Sequence, residues 1–419
     1  MNNRIEKPVA VIVDPYSSGN QFAPSFKKAG VPVLAVLSGG APPDVYSKSY
    51  RPEDFDHIIK ETGNINYIVD QLKKYNPLCV IPGCESGVEL ADAISPQVVP
   101  SVSNDPDKAQ ARRHKGLMAA AVSEAGIPTI SQIYTDDINR AKAWIHRNGL
   151  HTADIVIKPP KSASTDGVTL VRRGEKWDKI FNEMLGKRNR LGLVNDSLVI
   201  QEYVNGVEYV VDSFSYEGIH TINGICKYHK IDNGSFFAVY DHMQWLPMSA
   251  PACSEIVDYA RKVLSAVGMR FGAAHIEIML TADGPKLIEI GARPHGGGHP
   301  EFSRIATGES QIDRTVDYFT GHRKIPIDFS LCKQVMVIFL VCRKNAVVRN
   351  IDKLLDGLKT LASCYKSYIN IENGDKVEQT KDLFSTLELG YVVLAHSELY
   401  QIKKDYGLFR EMERTVFRV

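Results

Sequence analysis

The stretch from Ala274 to Gly298, AHIEIMLTADGPKLIEIGARPHGGG, constrains the fold more than any other part of the 419-residue chain. Apolar residues alternate along both sides of Ala282-Asp283-Gly284, the pattern of two short strands joined by a turn. A glutamate stands in the middle of each strand, Glu277 and Glu289. With a three-residue loop and Gly284 left-handed, Thr281 faces Pro285 and Glu277 falls opposite Glu289. Directly opposed residues on one sheet face have Cβ atoms about 5 Å apart, so two carboxylates there repel each other unless a cation lies between them. Mg²⁺ is held by carboxylates together with phosphates and water, which makes the hairpin a candidate half of a nucleotide and metal site. Arg293, just past Glu289, puts a fixed cation near the same place. The same pattern also suits a hairpin whose wet face carries two unrelated glutamates, so the rest of the chain has to discriminate.

A chain this long exceeds one compact core and is expected to form two or three domains. Its 50 basic and 49 acidic residues leave a formal charge of +1, with no long basic run. That balance excludes nucleic acid and anionic membrane surfaces as expected partners and points to a small-molecule substrate. The 7 cysteines are scattered and show no CxxC or Cys/His metal spacing, so free thiols in a reducing cytosol are expected. The start, MNNRIEKPVAVIVD, lacks an apolar core followed by a cleavage site. No segment approaches the ~20 apolar residues of a membrane span, and a cytoplasmic location is expected.

Residues 8–105 alternate strand and helix: Pro8 to Val13, a helix from Asn20 to Ala29, Val33 to Leu37, a helix from Ile65 to Tyr75, and Leu78 to Pro82. This order predicts a small doubly wound α/β unit. The loop from Pro15 to Gly19 follows the first strand but lacks the three-glycine dinucleotide fingerprint. In IPGCESGVELAD the strand ends at Pro82-Gly83 and a helix begins near Val88. Glu85 and Ser86 between them stand at the carboxyl end of a parallel strand, where α/β substrates bind. A first-turn glutamate and a capping serine are the alternative.

A helix is expected from Asp107 to Gly126, with Arg112, Arg113, His114 and Lys115 on a solvated face. Lys158 closes the apolar strand ADIVIKPP, and a lysine there cannot stay unpaired. The loop that follows, Pro159 to Gly167, contains Ser162, Ser164, Thr165 and Gly167 and offers N–H and O–H donors to polyphosphate oxygens. It is no Walker A loop, because the lysine precedes it and no helix follows in place. A surface lysine before a floppy hairpin is the alternative. Residues 198–216 read as two strands about Asn205-Gly206, with Glu202, Glu208 and Asp212 at intervals. Strand ends beside acidic side chains can read an adenine edge and hold ribose hydroxyls, although an ordinary meander with acidic solvent positions fits the pattern too. Strands continue through Tyr240 to Trp245, a helix spans Ser254 to Val267, and an α/β tail without a chemical constellation lies beyond Gly321.

The order of these features resembles the ATP-grasp superfamily of carboxylate–amine ligases: a lysine in a helix, a lysine closing a strand before a small-residue loop, an acidic strand pair, then two opposed glutamates and an arginine. The resemblance covers residues 1–325, and the tail looks like the C-terminal domain of the biotin-carboxylase-like branch. Within the superfamily the chain is most similar to bacterial L-amino-acid ligases, the dipeptide synthetases, and resembles the tabtoxin-pathway type. The resemblance implies a multidomain α/β and α+β fold: an N-terminal α/β domain over 1–105, an ATP-grasp domain over 106–325 with a lid over 135–200, and a C-terminal α/β domain over 326–419. It also implies ATP with Mg²⁺ or Mn²⁺ as cofactors, amino acids as substrates, and a homodimer.

Carried over by position, Lys115 and Lys158 look like the ATP-phosphate lysines, and Ser162 to Gly167 like the loop that closes over the triphosphate. Glu202, Tyr203 and Val204 look like the adenine hinge, with Glu208 nearby for ribose or substrate. Glu277 and Glu289 correspond to the metal ligands, and Arg293 to the arginine that holds the reacting carboxylate. Gly291 departs from the family, which often has an asparagine ligand there. The run Pro294 to His299 resembles the loop beneath the substrate pocket, with His295 setting the size of the second amino acid and Gly296 and Gly297 leaving backbone room. Glu85, Ser86, Tyr240 and Asp241 are further pocket candidates, and His242 or Asp241 a candidate base for the attacking amine. The implied reaction joins two L-amino acids through an aminoacyl phosphate, giving ADP and phosphate. A ligase or carboxylase acting on another metabolite acid or on bicarbonate remains open, as does a silent nucleotide-binding protein.

Overall fold

A computed structural model describes residues 7–418 other than 164, 235 and 323. Ser164, expected in the phosphate loop, lies outside the described residues. The architecture is a multidomain mixture of α/β and α+β units. Near the N-terminus, four parallel strands run in the order His57–Lys60, Val33–Leu37, Pro8–Val13, Asn76–Pro82. Val9, Val11 and Val13 join one apolar cluster and Ala10 and Ile12 another. The sheet is thus covered on both faces, as parallel sheets are. Asp14 at the end of the first strand accepts hydrogen bonds from the Ser38 amide (2.8 Å) and from the Ser86 hydroxyl, tying together the loops at the carboxyl edge.

The largest sheet has eight antiparallel strands, ordered Gly284–Gly291, Gly272–Thr281, Val207–Tyr216, Ile219–Asn233, Phe236–Trp245, Gln334–Phe339, Gly390–His396, Cys364–Ile369. The glutamate hairpin forms one edge, and strands from the C-terminal tail extend the other. The helix Cys253–Ala266 buries Ile256, Val257, Ala260, Val263 and Leu264 against this sheet, a stripe of helical period, and Gly268 at φ +68° follows its end. No described helix is long and apolar enough to cross a membrane.

A second antiparallel sheet, ordered Gln132–Thr135, Leu198–Glu202, Ile155–Lys158, Thr169–Val171, packs beneath the helices Ile138–Arg147 and Trp177–Met184. The expected strand pair across Asn205-Gly206 is therefore not a hairpin. Leu198–Glu202 belongs to this small sheet and Val207–Tyr216 to the large one, so residues 203–206 form a crossing between two bodies. Periodicity finds both strands but carries no information about which neighbour each one pairs with. At the crossing, a Cβ on Gly206 would meet the Leu280 carbonyl oxygen at 2.3 Å. Gly206→Val is expected to force these backbones apart and destabilise the protein by about 1–3 kcal/mol. Thermal unfolding checks this, and an unchanged Tm would show that the crossing yields freely.

Candidate active site

The glutamate hairpin reaches the expected pairing by a different route. Thr281 pairs with Gly284, so the loop holds only Ala282 and Asp283, and Gly284 takes φ +98°. That register alone would set Ile288 opposite Glu277. A bulge between Glu277 and Ile278 absorbs one residue on the second strand, and Glu277 lies directly opposite Glu289. The bulge also turns the Ile288 carbonyl to the Lys158 ammonium, which donates to it at 3.5 Å. Lys115 completes the group: its Nζ lies 3.0 Å from Glu289 Oε2 and donates to the Ser162 carbonyl at 3.1 Å. Burial, with the facing Glu289 charge, pushes the Glu277 carboxyl up. Burial acts the same way on Glu289, but Lys115, Lys158 and Arg293 outweigh it and hold that carboxyl below its usual range. Burial, then the neighbouring Lys115, pulls the Lys158 ammonium down to about 8 against the three nearby glutamates.

Lys115 arrives here because the expected helix from Asp107 breaks. Pro106–Arg112 is a 3₁₀ segment, and His114 caps the α-helix Lys115–Glu124 by accepting from the amides of Gly116 and Leu117. The anticipated solvated face is instead interior: Arg112, Arg113, His114 and Lys115 are all buried. Arg112 pairs with Asp92 at 2.9 Å and donates to the carbonyls of Asp105 and Val267. Arg113 grips Glu85 Oε1 at 3.0 Å while Arg293 grips Glu85 Oε2 at 2.8 Å. One buried carboxylate thus holds two guanidinium groups at the carboxyl edge of the parallel sheet. Nη1 of Arg293 donates to the Pro294 carbonyl, and its Nη2 donates to no protein group among the described residues.

Glu85, Lys115, Lys158, Glu277, Glu289 and Arg293 line one cavity of about 1170 Å³ that runs from the parallel sheet past the glutamate hairpin to the crossing at Tyr203 and Val204. Ser162, Thr165, Glu208, Tyr240 and the glycines 296–298 lie on its wall. Gly167, at φ +72°, packs against Pro159 in the loop that follows Lys158. Glu208 binds Lys230 at 2.6 Å, and the ammonium sits over the Tyr240 ring at 4.5 Å. Burial works against that charge, but Glu208 and Tyr240 hold the Lys230 pKa up.

Four expected residues are placed elsewhere. Ser86 does not line the cavity; it bonds Asp14. The Glu202 side chain accepts from the Ser131 amide at 3.1 Å, so it shapes the crossing and leaves the cavity wall to Tyr203 and Val204. Asp241 sits at an irregularity between the pairs Lys230–Tyr240 and His229–His242, which turns Asp241 and His242 away. Asp241 meets Tyr406 at 2.7 Å and Arg410 at 2.9 Å, and His242 stacks on His229. Neither reaches the cavity as a base. His295 lines the wall, but its Nδ1 faces Asp212 at 3.0 Å and its Nε2 faces Tyr228 at 2.8 Å.

Sequence reasoning missed Arg113, Lys230 and His275. His275 had a legible signal, since it precedes Glu277 by two positions and so shares its strand face. Arg113 and Lys230 had none, because their partners Glu85 and Glu208 are remote in the chain. The donor set suits a hard divalent ion. Two half-buried carboxylates face each other across the hairpin, burial and then the Glu289 charge push the Glu277 carboxyl up, and the ligand atoms of His275, Glu277 and Glu289 all lie within 4.8 Å of one another. Glu85→Gln is expected to leave two buried guanidiniums without their counter-charge and to cost about 3–5 kcal/mol of stability. Denaturant unfolding measures it, and an unaltered midpoint would show that other groups compensate both arginines.

Residues 151–300 match the ATP-grasp domain family. Across 99% of this chain and 97% of its own, dapdiamide A synthase of Enterobacter agglomerans is 31% identical. A D-alanine–D-alanine ligase of Coprothermobacter proteolyticus is 24% identical over 62% of this chain and 89% of its own. Among solved structures, an L-amino acid ligase from Bacillus licheniformis superposes with a TM-score of 0.72 over 97% of both chains at 14% identity, which speaks for the fold alone. Ligases of this family use ATP with Mg²⁺, and the buried lysines and facing carboxylates are the chemistry such a pair of ligands requires. By its full-length relative and its fold, the chain belongs to the ATP-grasp family of carboxylate–amine ligases.

Proposed function

We propose that this chain joins two L-amino acids into a dipeptide through an aminoacyl phosphate, consuming ATP and releasing ADP and phosphate. The observation that carries the reading is the meeting, in one cavity, of the hairpin carboxylates, two buried lysines and an arginine whose Nη2 donates to no protein group among the described residues. A relative of matching length named dapdiamide A synthase supports an amide as the product class.

In this reading Tyr203 and Val204 receive the adenine, with Glu208 beside the ribose. Lys115 and Lys158 then lie along the triphosphate, and the loop 159–167 covers it and excludes water from the acyl phosphate. Glu277 and Glu289 hold Mg²⁺, which when bound neutralises charge on the transferring phosphoryl group. Arg293 presents Nη2 to the first substrate's carboxylate and later to the tetrahedral oxyanion. Glu85 and Arg113 fix that guanidinium, so the carboxylate meets a donor whose orientation is already set. Gly296 and Gly297 leave backbone room for the second amino acid, and His295, locked by Asp212 and Tyr228, bounds its space.

Incubation with ATP, Mg²⁺ and pairs of L-amino acids is expected to release phosphate only when amino acids are present, with a dipeptide mass in the product. Release indifferent to every amino acid overturns the reading, and bicarbonate-dependent release favours a carboxylase. Lys158→Met is expected to lower kcat by about 100-fold or more. Lys158 also predicts a proton signature. Its ammonium is depressed to about 8, and phosphate anions favour the charged form, so ATP binding raises that pKa. At about pH 8.5, with EDTA present to exclude metal, ATP binding is expected to take up a fraction of a proton. Calorimetric enthalpies in buffers of different ionisation heat read the uptake, which should be smaller in Lys158→Met.

A further inference from the structure

We propose that His275 is a third protein ligand of the divalent ion held by Glu277 and Glu289. The inference rests on the reading of those two glutamates as metal ligands, and it adds a nitrogen donor to an oxygen site.

His275 and Glu277 lie two residues apart on one strand and so share a face, and the facing strand presents Gly291 and Glu289 opposite them. The pair His275–Gly291 is asymmetric in a useful way. A Cβ on Gly291 would come within 2.2 Å of His275 Cε1 and 2.7 Å of its Nδ1, so the imidazole occupies the space a side chain at 291 would fill. The facing glycine is what allows the ring to lie across the hairpin beside the carboxylates. His275 is 2% exposed, and its Nδ1 has no hydrogen-bond partner among the described residues. Its Nε2 stands 4.0 Å from Glu277 Oε1. That is too far for a hydrogen bond but within the ~4.2 Å that two donors each about 2.1 Å from a shared ion can span.

The neighbouring histidines sharpen the contrast. Asp212, His295 and His299 also lie close enough together to hold an ion. Their nitrogens are already engaged, His295 by Asp212 and Tyr228, and His299 by Asp212 at 2.8 Å and Cys226 at 3.5 Å. Those rings form a stack, with His299 on His295 at 3.7 Å and His295 on His275 at 4.7 Å, inclined by 15° and 19°. The satisfied pair acts as a backstop that fixes the plane of the unsatisfied ring. An ion shared with Glu277 would take Nε2, the ring nitrogen that stands nearest that carboxylate, and so tie the ring into the cluster. Imidazole suits Mn²⁺, Co²⁺ and Zn²⁺ better than Mg²⁺, which prefers oxygen, so the site should favour Mn²⁺ over Mg²⁺ more than an all-carboxylate site does.

The decisive measurement uses the wild-type protein saturated with ADP and loaded with less than one equivalent of Mn²⁺. Pulsed electron paramagnetic resonance is expected to show a directly bonded ¹⁴N coupling that moves to ¹⁵N frequencies when histidine alone is ¹⁵N-labelled. This needs no variant and so does not depend on how a substitution folds. His275→Gln should lose the coupling and weaken Mn²⁺ binding by about tenfold or more. The double variant His275→Ala with Gly291→Asn, which offers an amide oxygen from the facing strand in the vacated space, should regain affinity without the nitrogen signal. Bound Mn²⁺ with no histidine nitrogen, weakened by Glu289→Gln, overturns the His275 assignment and leaves the carboxylate site standing. Mn²⁺ that fails to bind, or binds equally well in Glu277→Gln and Glu289→Gln, overturns the carboxylate site itself and His275 with it.

Discussion

Two carboxylates held face to face across a buried hairpin cannot both stay charged without cations around them, and the structure is arranged about that demand. Lys115 reaches Glu289 from a helix start, and Lys158 reaches the Ile288 carbonyl from the end of a strand in another sheet. Each lysine would be costly in the interior alone. Together with the glutamates they make a cluster whose charges are mutually necessary, and whose protonation is open to adjustment by whatever enters. A site with Glu277 raised and Lys158 depressed is poised to bind both a cation and a polyanion.

The cluster depends on the meeting of three separate sheets. The parallel sheet supplies Glu85, the small antiparallel sheet supplies Lys158 and its loop, and the large sheet supplies the hairpin. Residues 203–206 are where the chain passes between the last two, and Gly206 lets it run against the Leu280 carbonyl. A change in the angle between those sheets would carry Lys158 and the loop 159–167 relative to the glutamates.

A second tier of buried polar groups sets orientation. Glu85 clamps Arg113 and Arg293, and Asp212 clamps His295 and His299. Each carboxylate spends its oxygens on two partners, and the rings that Asp212 holds stack in turn on His275. Fully paired networks of this kind are stiff, so they hold the remaining donor in place before a ligand arrives.

Local pattern was enough to find much of this. Alternating apolar residues around Glu277 and Glu289, the lysine closing a buried strand at Lys158, and the strand end before Glu85 were all legible, because periodicity and the cost of burying a charge act over a few residues. The facing of the glutamates was legible as well, although the two-residue loop and the bulge at Ile288 reached it by a path no turn rule specified. What the chain alone did not contain were the long-range choices: that strand 198–202 leaves its neighbour for another sheet, that Arg113 and Lys115 turn inward where the helix breaks, and that Asp241 and His242 face the C-terminal helix and not the cavity. Sequence by itself determined which side chains share a strand face. Only the tertiary structure decided which buried charges meet, because the partner that makes an interior lysine or arginine tolerable stands tens or hundreds of residues away.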